Sequence, residues 1–154
     1  MTDMNENINF TIQEIKKDFF CYRNGLIADS LKKLYKPGKM IFGLTVPQFL
    51  EMAKKYPKDT NLGISLWQDN SSREARLFSF YLMEPSEIDF NTAKTMIKEV
   101  GSNEEAEFLA FKILARMPEA PLLLEESNKE NYESSHSFHC INMLKKNLDR
   151  NKII

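Results

Sequence analysis

Three carboxylates crowd the start of one apolar segment. In "EVGSNEEAEFLAFKILARM", residues 99–117, Glu104, Glu105 and Glu107 lead into a run with the composition of a buried helix. Glu104 and Glu105 fall where a helix N-terminus favours negative charge, worth about 0.3–1 kcal/mol each. Glu107 is different. At 100° per residue it lies between positions taken by apolar side chains, and an unpaired charge there is costly. Such a carboxylate can stabilise a developing cation or position a water. It can equally be one half of an internal ion pair, and Arg76 is the cation at the corresponding place 31 residues earlier.

Two further groupings could do chemistry. His136, His139 and Cys140 share a helical face at i, i+3 and i+4, a spacing able to hold a metal. No Cys or His lies close enough in sequence to be a fourth ligand, so packing is the preferred reading and no metal or cofactor is assigned. The other grouping is cationic. Residues 1–60 hold ten Lys/Arg against seven Asp/Glu, whereas residues 61–115 hold five against nine. Phosphate contacts supply most nucleic-acid affinity. A DNA site is therefore sought at Lys32, Lys33, Lys36 and Lys39, with Arg73 beside them, although a solvated face is the plainer reading of the lysines.

The elements that must carry these residues are helical. Gly and Pro fall between segments of 3.6-residue periodicity, and no stretch alternates long enough for a strand. The periodicity predicts helices at about 10–35 (broken near Gly25), 46–56, 60–69, 72–84, 90–100, 103–117, 119–127 and 131–149. "KPGK" at 36–39 reads as a turn. Thr45, Ser72 and Ser102 read as N-caps, with Pro47 in a first turn where a missing N–H is harmless. The fold class is all-α.

The chain also repeats. "REARLFSFYLM" (73–83), "EEAEFLAFKIL" (104–114) and "SSHSFHCINML" (134–144) align without gaps at offsets of 31 and 30. Small residues recur at Ser79, Ala110 and Cys140, and large apolar ones recur beside them. Each segment follows a shorter helix, so the unit is a helical hairpin that needs a neighbour to bury its apolar face. The expected architecture is a HEAT/armadillo-like α-α superhelix, one domain over 1–154. Residues 1–58 would form an N-terminal cap and 59–149 three hairpins. On the helical wheel the second and ninth repeat positions form the clearest polar stripe: Glu74, Glu105 and Ser135, then Tyr81, Lys112 and Asn142.

The pieces "RNGLIADSLKKL", "FGLTVPQFLEMAKKY" and "LWQDNSSREARLFSFYLM" resemble the DNA alkylation repair family, alkylpurine DNA glycosylases built from HEAT-like repeats. The similarity covers roughly residues 10–120. It implies a concave DNA-binding surface and removal of cationic alkylated bases by a Trp followed four residues later by a catalytic Asp. Those positions fall here at Asn103 and Glu107. An Arg implied one repeat later falls near Ser137, and a further aromatic would come from a repeat beyond Ile154. The resemblance thus implies a member that binds nucleic acid without base excision. The alternatives are an active glycosylase using Glu107 as its catalytic residue, and a protein-interaction scaffold, which the net charge of −1 keeps open. The N-terminus lacks the basic and apolar regions of a signal peptide. No apolar run approaches the roughly 20 residues of a membrane span. A cytoplasmic monomer with no membrane partner is expected.

Overall fold

The computed structural model describes residues 2–153. Among them every regular element is helical, as the periodicity predicts. The helices gather into two compact units, residues 1–83 and 84–154, so the division falls inside the 59–149 segment that the repeats mark out.

The first unit holds α1 (Thr2–Cys21), α2 (Gly25–Leu31), α3 (Val46–Lys55), α4 (Thr60–Asp69) and α5 (Arg73–Leu82). α1 buries Ile12, Ile15 and Phe19, a stripe at i, i+3 and i+7. It ends near Asn24, whose side chain caps α2 by accepting from the Leu26 and Ile27 amides. The break near Gly25 is therefore a true helix boundary. Phe78 of α5 is the hub of the core. It meets Phe19 and Tyr56 edge-on and lies nearly parallel to Phe49 and Tyr81, with centroids 5.9–6.2 Å away. Offset and edge-on pairs of this kind add about 0.5–1.5 kcal/mol each beyond burial. α4 packs closely on α5 because Gly63 lets their backbones approach. A Cβ there would stand 3.0 Å from the Ser79 carbonyl oxygen.

The second unit holds α6 (Phe90–Glu99), α7 (Asn103–Phe108), α8 (Ala120–Asn128) and α9 (Ser135–Ile153). α7 runs on through a π-helical turn at Leu109–Ile113 and a 3₁₀ turn at Leu114–Arg116. The predicted helix over 103–117 is thus continuous in path but widened in the middle. α9 packs against α6, α7 and α8 around Ala106, Leu109, Ala110, Cys140 and Leu144, all fully buried. The three repeat segments lie in helices, apart from Met83 and Ser134 at their ends.

The caps follow the sequence. Ser72 and Ser102 accept from the amides three residues on, and Thr45 forms a reciprocal capping box with Gln48. Asp59 and Asp89 cap α4 and α6 in the same way.

Candidate nucleic-acid interface

The lysines stand on a short strap between α2 and α3. Lys32 and Lys33 belong to a 3₁₀ turn that extends α2. The chain then reverses at Lys36–Lys39, where the Lys39 amide donates to the Lys36 carbonyl at 3.1 Å. Pro37 suits the first corner of that turn, and Gly38 at φ +88° supplies the left-handed second corner. This folding brings Lys32, Lys36 and Lys39 together around a cleft of about 460 Å³ with Pro37, Gly38, Met40 and Ile41. Lys33 is exposed but does not line it. Lys32 lies 3.0 Å from Asp29, and both groups are well exposed. Lys39 donates to the Asn70 side chain at 2.8 Å.

What holds the strap was not legible from the helical wheel. Glu74 is not on a solvated stripe: it is 0 % exposed. Its carboxylate accepts three successive backbone N–H groups, from Phe42, Gly43 and Leu44, at 2.9–3.3 Å. Arg73 lies within this cluster. It is 5 % exposed, and its Nη1 donates to Glu74 at 2.6 Å and to the Leu44 carbonyl at 3.0 Å. Arg73 is therefore a brace and not a surface contact for phosphate, because a guanidinium committed to a buried carboxylate and carbonyl faces no solvent. The backbone joins in, with Arg73 N donating to Met40 O and Asn24 N to Phe42 O. Gly43, at φ +92°, is required twice over, since a Cβ would overlap the Asn24 carbonyl and come within 2.9 Å of the Ala28 amide.

Glu105, at the repeat position equivalent to Glu74, is also buried, contrary to the polar-stripe reading. Its carboxylate accepts from the Ser102 hydroxyl while that hydroxyl also caps the Glu105 amide. Helix-dipole complementarity explains its place at the helix start but not its burial.

The positions implied for base excision lie in the second unit. Asn103 Oδ1 meets His136 Nδ1 at 2.9 Å, and Glu107 Oε1 meets His139 Nε2 at 2.9 Å. The i, i+4 pair on α7 and the i, i+3 pair on α9 thus form two polar rungs between packed helices. Glu107, expected between apolar positions, has a side chain that is 46 % exposed and so partly solvated. Ser137 is buried and donates to the Ile97 carbonyl at 2.7 Å. Arg76 belongs to the first unit, where its guanidinium lies 3.7 Å from the centre of the Trp67 ring. That cation–π contact, with Trp67 buried against Phe80, gives both residues packing roles there.

Cys140, the third member of the possible metal trio, is buried, and burial pushes its thiol up to about 12. Among the described residues no group of three or more His, Cys, Asp or Glu side chains is placed to hold a metal ion. Among them, too, no helix is long and apolar enough to cross a membrane. In comparisons with protein-family models, curated proteins and solved structures, nothing matches this chain.

Proposed function

We propose that this chain is a HEAT-like helical repeat protein, similar to the DNA alkylation repair family, that binds nucleic acid weakly and without base excision. The observation that carries the reading is the convergence of Lys32, Lys36 and Lys39 on one cleft held open by a braced strap. Phosphate contacts by a few lysines give sequence-independent affinity. The 31- and 30-residue repeats favour the superhelical architecture.

Loss of excision rests on chemistry at the implied positions. The family reaction needs an aromatic against the cationic base and a carboxylate placed for the sugar. Here Asn103 and Glu107 are each engaged by a histidine of α9. Glu is also longer than Asp by one methylene, and a misplacement of about 1 Å can cost roughly 100-fold.

A titration of labelled DNA against salt tests the binding. With three phosphate contacts, log affinity should fall against log salt with a slope of about −2.7, roughly 40-fold between 50 and 200 mM. Lys32→Glu, Lys36→Glu and Lys39→Glu together should abolish it. Salt-independent binding, or none, would favour a protein-interaction scaffold. Release of 7-methylguanine or 3-methyladenine, abolished by Glu107→Gln, would establish the glycosylase reading instead.

A further inference from the structure

A second cleft, of about 700 Å³, adjoins the lysine cleft: Met40 and Ile41 line both. Its other walls include Phe20, Cys21, Arg23 and Phe42. Phe20 is 54 % and Met40 55 % exposed, so apolar surface stands beside three lysines. The Arg23 guanidinium lies 3.8 Å from the Phe20 ring centre, and its Nη1 donates to the Phe20 carbonyl at 2.8 Å. The result is an arginine–aromatic pair lining one cleft and three lysines lining the other.

A ligand that suits both sides must present π faces and phosphates in alternation. A single nucleic-acid strand does so, because its bases are free to stack on aromatic and guanidinium planes. A duplex does not, because its base faces are closed by their neighbours and it offers the protein phosphates, sugars and base edges instead. The apolar cleft is open to solvent, which suits a polymer laid across it and not an acyl chain that must be enclosed. We propose that the N-terminal unit binds a single-stranded segment of a few nucleotides. Its bases stack on Phe20 and Arg23, and its phosphates lie along Lys32, Lys36 and Lys39. The proposal rests on the nucleic-acid reading above and narrows it. The strap is pre-organised for this by the Glu74 clamp, so little ordering is spent on binding.

The two cysteines provide a readout. Cys21 is exposed in the cleft wall, whereas Cys140 is buried, so a thiol reagent reports on the site. The test compares an oligo-thymidine strand of about twelve nucleotides, within the usual range of single-strand sites, with a hairpin duplex of equal length. The single strand should bind at least about tenfold more tightly and slow alkylation of Cys21, while the duplex does neither. Phe20→Ala should cost about tenfold on the single strand, equivalent to about 1.4 kcal/mol, a loss in the range for one stacked base. Phe20→Trp should retain the affinity, and neither variant should change duplex binding. Equal affinities with Phe20→Ala silent would overturn this proposal and leave the nucleic-acid reading standing. Failure of both oligonucleotides to bind would overturn both. Binding to phosphatidylserine vesicles in place of the single strand would assign the clefts to lipid and overturn both as well.

Discussion

Glu74 and Glu105 occupy the same position in two repeat segments 31 residues apart, and both are buried, one against a distant segment and one against its own helix cap. Glu74 reaches the strap 30 to 32 residues earlier, gathering three backbone amides and the Arg73 guanidinium. Glu105 accepts from the Ser102 hydroxyl of its own helix cap. A repeated sequence position therefore repeats burial, and the position does not by itself name the donors. Close packing demands only that a buried carboxylate be satisfied, and the nearest donors decide how.

Four substitutions put this contrast under load. The largest effect is expected for Glu74→Gln, which leaves a buried guanidinium without its carboxylate. Breaking such a pair typically costs about 3–5 kcal/mol, read as a fall in the urea midpoint. The strap lysines should lose nucleic-acid affinity along with it. Glu105→Gln should cost less, about 1–3 kcal/mol, the usual cost of disturbing one buried polar group. A loss as large as that of Glu74→Gln would show that Glu105 also anchors something beyond its cap. Glu107→Gln should cost under about 1 kcal/mol, because a partly exposed pair is well screened. A larger fall would show that the Glu107–His139 rung is a brace between α7 and α9.

The smallest effect shows chiefly in alkaline solution. Tyr56 donates to the Asp18 carboxylate at 2.6 Å, and burial, then that hydrogen bond, raises its phenol above the ordinary value. A raised folded-state value means the stabilisation is complete below the unfolded phenol value of about 10 and is lost as pH rises beyond it. Tyr56→Phe should therefore flatten the alkaline fall in melting temperature while lowering the plateau slightly. An unchanged alkaline slope would place that loss elsewhere.

The all-helical class, the caps at Thr45, Ser72 and Ser102, and the turn at 36–39 were legible because each depends on residues within a few positions of one another. The break at Gly25 was legible for the same reason. The π turn at Leu109–Ile113 was not, since a one-residue widening leaves the apolar spacing nearly intact. The site was half legible. Lysine clustering pointed to the strap, but Arg73 was misplaced because its partners, Glu74 and the Leu44 carbonyl, could be recognised only once α5 had met the strap. Phe20 is as apolar as Phe19, yet one residue of rotation buries Phe19 fully and leaves Phe20 in solvent.

By itself, the sequence determined the helical class, the starts of the capped helices, and which three segments repeat. These follow from backbone capping and from side-chain period, forces that act within a turn or two. The first helix, expected from about 10, begins at Thr2, and the last, expected from about 131, at Ser135. Tertiary structure alone decided which polar side chains are internal. Glu74, Glu105 and Arg73 carry the composition of a surface and stand in a core. Whether a charge is buried depends on donors brought up from distant segments, and a wheel drawn on one helix contains none of them.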